Sequence, residues 1–298
     1  MQIAEQILTQ QIQWTASTGA ILRATVARLD LLHPVVSGNK FFKLKYNLEQ
    51  AVKQNKGIIT MGGAYSNHLA ATAYACAINQ IPSIGVVRGE IAEPLSPTFA
   101  FCTSQKMQLV SVSRSGYQRN SAEIIQLLQQ YPDYFFVPEG GDNDYGEKGC
   151  TEIPSLIPHY ETFTHIACAV GTGTTVRGIA KQSHPHQQII AIPVLKIKTD
   201  EQEQFAERHL NTNNFKNIHP LFNHAGKGYA KFDETLLRFC NRFFEQTQIP
   251  LDIVYTAKLF MAAEDLLQNL LQPTHRLLLL HTGGLQGNQS LPQDALCY

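Results

Sequence analysis

Short, nearly unbroken apolar runs alternate with helical stretches along most of this chain, and that alternation restricts its fold more than any other feature. LRATVARLD at 22–30, GIITMGG at 57–63, SIGVVRG at 83–89, MQLVSVS at 107–113 and YFFVPEGG at 134–141 read as strands. So do THIACAVGTGTT at 164–175, QQIIAIPVL at 187–195 and RLLLLHTGG at 276–284. Helices are expected from His33 to Gln50, from Ser66 to about Asn79, near 96–104, near 120–130 and around 148–159. Strands apolar at consecutive positions are buried on both faces, which calls for parallel sheets with helices on each side. Two stretches break the rhythm: 141–150, rich in Gly and Asp, and 211–230, rich in Asn, His and Gly. The expected fold is α/β, with two domains of parallel twisted sheets covered by helices. A small domain at 51–146 is inserted into a larger one made of 1–50 plus 147–298.

Charge narrows the partners. Lys+Arg and Asp+Glu are both 24, so there is no basic excess to neutralise phosphates, and nucleic-acid binding is not expected. Cys76, Cys102, Cys150, Cys168, Cys240 and Cys297 lie far apart with no CxxC pair, which points to neither a zinc site nor a disulfide scaffold. No metal site is expected, since His184 and His186 in SHPHQQ read as a surface turn. The N-terminal MQIAEQILTQQIQW is interrupted by Gln and Glu, unlike a signal peptide, and no apolar run is long enough to span a membrane. The expectation is a cytoplasmic protein with no membrane partner.

Three strand ends carry glycine-rich turns. VGTGTTVRGI follows a strand and opens a helix; Gly171 and Gly173 permit close backbone approach, and Thr172, Thr174 and Thr175 add hydroxyls. Free N–H groups at such a turn suit a phosphate, although a plain tight turn would explain the loop by itself. Val176 stands where a dinucleotide fingerprint needs its third glycine, and no GK[ST] follows, leaving a compact monophosphate cup. At ITMGGAYSNHLAATAYACA, Ser66 reads as a helix N-cap with Asn67 and His68 in the first turn. Capping alone accounts for that serine; holding an anionic group there is the alternative. A hydrolase elbow fails because Ala64 and His68 occupy its glycine positions. HTGGLQG at 281–287 is the third turn, and in open α/β sheets ligands lie beyond such strand ends. Ahead of them, SGNKFFKLKY places Lys40, Lys43 and Lys45 among Phe41, Phe42 and Tyr46, which raises the question whether one lysine does chemistry.

The order GNK, SNH, GTGTT, a Tyr-Thr before a helix, and HTGG over about 20–290 resembles the pyridoxal-phosphate enzymes of fold type II, the tryptophan synthase beta-like group. Within it, the chain is similar to the branch holding D-cysteine desulfhydrase and 1-aminocyclopropane-1-carboxylate (ACC) deaminase. The resemblance implies pyridoxal 5'-phosphate between the two domains and a homodimer. It implies that Lys40 holds the cofactor and acts as base at Cα, and that Asn67 bonds the phenolic oxygen. Gly171, Thr172, Gly173, Thr174 and Thr175 would hold the phosphate, and Thr256 would face the ring nitrogen. Ser66, Asn67 and His68 would meet the substrate, with Tyr229 and Tyr255 as active-site tyrosines.

A buried amine among Phe41, Phe42 and Tyr46 would lose solvation of its charged form and become nucleophilic; Lys43 and Lys45 read as structural or exposed. Two departures stand out. The family commonly has Arg where Phe42 stands, and ACC deaminases carry Glu where Thr256 stands. A hydroxyl cannot carry negative charge at neutral pH, so the ring is a weaker electron sink, which suits β-elimination. The implied activity is a lyase or deaminase releasing ammonia and an α-keto acid from a small amino acid, D-cysteine first. ACC deamination is the alternative, and a non-catalytic protein binding the cofactor or another phosphate is the reading from a different class.

Overall fold

The computed structural model describes residues 5–298; residues 1–4, the start of the segment read as lacking a signal-peptide core, lie outside the described residues. Ten strands form two sheets. The first has six strands in the order β1 (Thr9–Thr15), β2 (Ile21–Arg28), β10 (Leu277–His281), β7 (His165–Val170), β8 (Gln188–Pro193) and β9 (Ile218–Pro220). Only the β1–β2 pair is antiparallel. The second sheet is wholly parallel, in the order β5 (Gln108–Val112), β4 (Ser83–Arg88), β3 (Gly57–Met61) and β6 (Tyr134–Val137). The helices are α1 (Asn39–Lys53), α2 (Asn67–Ile78), α3 (Pro97–Ser104), α4 (Ala122–Gln130), α5 (Asp144–Cys150), α6 (Thr174–Ala180), α7 (Gln202–Phe205), α8 (Glu234–Thr247) and α9 (Thr256–Asp265).

The continuous apolar strands are explained by a core on each face. Successive strand residues point to opposite sides. Ile166, Cys168 and Val170 of β7 therefore join one cluster with Phe41, Phe42 and Ile179, while Ala167 and Ala169 join another with Phe243 and Phe260. In β10, Leu278 and Leu280 face the first cluster, and Leu277 and Leu279 the second. Five of the six cysteines are buried, and burial pushes the Cys76 and Cys168 thiols up to about 12, so they pack as small hydrophobes. No helix among the described residues is long and apolar enough to cross a membrane.

Three differences from the sequence reading have physical causes. Strand β1 is absent from that reading because its glutamines mask an alternation that buries Ile12 and Trp14. Residues 144–150 form α5, which Asn143 caps by accepting from Gly146 N–H at 2.9 Å, although the Gly and Asp content reads as a break. Of the segment around 148–159 read as helical, the part after α5 holds only a single 3-10 turn at Pro154–Leu156.

Candidate active site

The turn before α1 is locked against the end of β10. Gly38 has φ +66, and a Cβ there would fall 1.7 Å from the Thr282 carbonyl oxygen. Asn39 N–H donates to that same carbonyl at 3.1 Å. Buried Asn39 gives its side-chain N–H to Thr175 Oγ1 at 2.9 Å, and its Oδ1 accepts from Lys40 Nζ at 2.7 Å. Asn39 thus ties the amine of Lys40 to the turn at 171–175. Lys40 Nζ also lies 5.9 Å from the centre of the Tyr255 ring. Burial and the neighbouring charge of Lys43 bring the Lys40 amine down to about 7, against the opposing pull of Asp252.

Its helix neighbours divide by face. Phe41 and Phe42 are buried and meet edge-on at 5.6 Å. Tyr46 does not join them: its hydroxyl donates to Glu152, and Lys148 lies 4.1 Å from its ring. Lys45 pairs with Glu152 at 2.8 Å, as a structural residue would. Of the two readings for Lys43, structural or exposed, its burial removes the second: it is only 5% exposed, with burial pulling its amine down. It lies one turn after Lys40 and so shares that face, a signal the sequence offered.

The turn at 171–175 joins β7 to α6. Gly173 has φ +84, and a Cβ there would meet the His209 carbonyl at 1.8 Å. A Cβ on Gly171 would touch the Tyr255 ring at 3.1 Å. Thr172 and Thr174 hydroxyls lie 2.9 Å apart, and Thr174 donates to Asp142 Oδ1 at 2.7 Å. Beneath them, Arg177 is matched by Asp142 at 2.8 Å and Glu147 at 2.6 Å. Arg177 is thus neutralised within the fold, and Lys43 is close enough to sense the charges of both Asp142 and Arg177.

The second turn follows β3. Ser66 caps α2, accepting from Leu69 N–H at 3.2 Å, and keeps its own proton to donate. Asn67 Oδ1 accepts from Gln286 N–H at 3.1 Å, and a Cβ on Gly284 would overlap its amide. The third turn is thereby pressed against the second. His68 is buried with Nε2 at 2.8 Å from Thr60 Oγ1, whose proton goes to the Val137 carbonyl at 2.7 Å. Nε2 therefore carries the ring's proton. Burial, with Lys40 and Lys43 nearby, keeps the imidazole neutral. Its ring is committed to Thr60, and its carbonyl accepts from Thr72 within α2.

Tyr255 precedes α9, and its hydroxyl donates to that of Tyr229 at 3.4 Å. Burial raises Tyr255 well above the ordinary tyrosine range, so it stays protonated. Thr256 and Asp252 are completely buried together. Asp252 accepts N–H groups from Tyr255 and Thr256 and is pushed up to about 6, chiefly by burial. Sequence reading passed over Asp252, although an Asp three residues before Tyr255 has the spacing of a cap.

The donor set suits a phosphorylated aldehyde. A glycine cradle with hydroxyls and Lys43 would take the phosphate, and an amine near neutrality would take the aldehyde. Lys40 is joined to the turn at 171–175 through Asn39 and lies near Tyr255, which in turn abuts Gly171 and bonds Tyr229; Asn67 is joined to the third turn through Gln286.

A family model described as pyridoxal-phosphate dependent enzyme matches residues 20–283. A putative 1-aminocyclopropane-1-carboxylate deaminase of Thermotoga maritima is 27% identical over 286 residues, covering 88% of both chains. The bifunctional D-cysteine desulfhydrase/1-aminocyclopropane-1-carboxylate deaminase, mitochondrial, of Arabidopsis thaliana is 27% identical over 302 residues, covering 88% of this chain and 72% of that protein. Among solved structures, an ACC deaminase homologue superposes with a TM-score of 0.76 at 20% identity, over 95% of this chain and 90% of that one.

Proposed function

Because the chain belongs to the pyridoxal-phosphate-dependent enzyme family, we propose that it releases ammonia and an α-keto acid from a small amino acid, with D-cysteine the leading substrate. The observation that carries this reading is the amine of Lys40, held at about 7 and joined through Asn39 to the cup at 171–175. When bound, pyridoxal 5'-phosphate supplies an electron-withdrawing ring that weakens the bonds at the substrate's Cα. The chain supplies the rest. Gly171, Thr172, Gly173, Thr174 and Thr175 would hold the phosphate with Lys43, and Asn67 and Thr256 would hold the ring. Lys40 anchors the cofactor and takes the proton at Cα. Ser66 and the backbone at Asn67 and His68 bind the substrate carboxylate. Tyr229, which accepts from Tyr255 and keeps its own proton, would donate that proton to the departing sulfur.

For D-cysteine, loss of the Cα proton and breaking of the Cβ–S bond yield hydrogen sulfide, and water converts the remainder to pyruvate and ammonia. ACC is the second reading, supported by the names of the relatives; its ring opening would give 2-oxobutanoate and ammonia. The assembly this reading takes is a cytoplasmic homodimer, checked by sedimentation and cell fractionation. Purified protein loaded with the cofactor should turn yellow, bleach with borohydride at Lys40, and release sulfide and pyruvate from D-cysteine. Release of 2-oxobutanoate alone would favour ACC, and colour without any keto acid would make the protein a carrier.

A further inference from the structure

We propose that Asp252 is a positioning residue for the ring end of the cofactor, fixing the backbone of Tyr255 and Thr256 and setting a negative charge behind the Thr256 hydroxyl. The inference rests on the reading above, in which Thr256 faces the ring nitrogen. Asp252 Oδ1 and Oδ2 each accept from Tyr255 N–H at 2.9 Å, and Oδ1 accepts from Thr256 N–H at 3.1 Å. Its own N–H donates to Thr256 Oγ1 at 2.7 Å. Two consecutive residues, Tyr255 and Thr256, are thus fixed by one side chain.

The same bonds decide what the Thr256 hydroxyl can do. A hydroxyl has one proton and two lone pairs. Asp252 N–H occupies one lone pair. For the proton, the acceptors at hand are the Asp252 carbonyl at 3.4 Å and Oδ1 at 3.5 Å, both long for an O–H···O bond. The proton is therefore free for a better acceptor, such as an unprotonated pyridine nitrogen. When it turns there, the carboxylate stays behind the hydroxyl, fully buried, where charge is felt strongly. Capping alone would be served by a neutral acceptor, without the desolvation cost of a buried carboxylate.

The charged and titratable groups that sense Asp252 are Lys40, Lys258, Tyr229, Tyr255, Cys240 and Tyr298. Lys258 Nζ is committed to the carbonyls of Val194 and Gly228, which leaves no carboxylate–ammonium contact within hydrogen-bond distance of Asp252 among the described residues. Its charge is consequently available to the cleft.

Asp252→Asn keeps the acceptor for both N–H groups and removes the charge. Wild type and variant are loaded with pyridoxal 5'-phosphate, and the visible absorbance of the lysine-bound cofactor is titrated with pH. Losing a buried negative charge disfavours the protonated form at Lys40, so the midpoint should fall by on the order of one pH unit. Full loading with an unchanged midpoint overturns the proposal and leaves Asp252 a helix cap. If the variant fails to fold or to load, wild type decides. With 15N-labelled cofactor, the ring-nitrogen shift should step with pH as the raised Asp252 carboxyl titrates, and a profile flat over the whole range of folded protein overturns the proposal. A wild type that takes up no cofactor removes the reading of Lys40 itself, a failure visible before any variant is made.

Discussion

Lys40 is poised near neutrality by opposing effects: burial and Lys43 favour its uncharged form, and Asp252 favours the ammonium. A base at about 7 is protonated below that pH and free above it, so activity limited by proton removal should rise with pH and level off past 7. Below the midpoint the rate should drop about tenfold per unit, read from a pH profile of kcat. Lys40→Ala should lower kcat by about 10³ and abolish borohydride-stable attachment. For Lys43, the neighbouring cup sets the expectation. Lys43→Met should weaken pyridoxal 5'-phosphate binding about tenfold or more, the worth of one charge-assisted bond, and leave pyridoxal unaffected. A fluorescence titration with both ligands separates the two. Lys40 could be singled out because GNK matched a family's order of motifs; Asp252 carried only the spacing of a cap, which does not tell that its side chain is fully buried.

At the scale of elements, strand centres were legible and strand neighbours were not. Runs such as LLLLH in β10 announce burial on both faces, but no residue of β10 records that it pairs with β2 and β7 rather than with β8. Pairing between strands some 250 residues apart, as in β2 with β10, is set by helix packing on both sheet faces. Polar content misled in both directions: it hid β1 behind glutamines and hid α5 behind glycines. The glycine turns are the exception, since their steric demands are local. Gly38→Ala forces a Cβ into the Thr282 carbonyl at a positive φ, and should destabilise the protein by about 2–4 kcal/mol. Chemical denaturation measures that loss. The same variant should also shed cofactor, because the Asn39–Thr282 bond that sets the start of α1 also places Lys40.

Across the whole molecule, the cleft is assembled from both sheets. Ser66 and Asn67 follow β3 of the four-stranded sheet, the cup and Tyr255 belong to connections of the six-stranded one, and Lys40 lies on α1, which joins the two. A direct polar link across this join is Gln286 N–H to Asn67 Oδ1 at 3.1 Å. A ligand held by the cup at one end and by Asn67 at the other would therefore stabilise the folded chain as a unit. At a hundredfold excess over its Kd it should add about 2.7 kcal/mol, raising Tm by roughly 5 °C in a chain of this size. The phosphate is the discriminating part: in the proposed site the cup would offer N–H groups, hydroxyls and Lys43 to it, whereas the aldehyde would meet Lys40 alone. Pyridoxal should consequently raise Tm by much less than pyridoxal 5'-phosphate, and inorganic phosphate should give a small rise of its own. Equal shifts for pyridoxal and its phosphate in a thermal melt would mean that the turn at 171–175 holds no phosphate, and the site would have to be rebuilt around Lys40 without it.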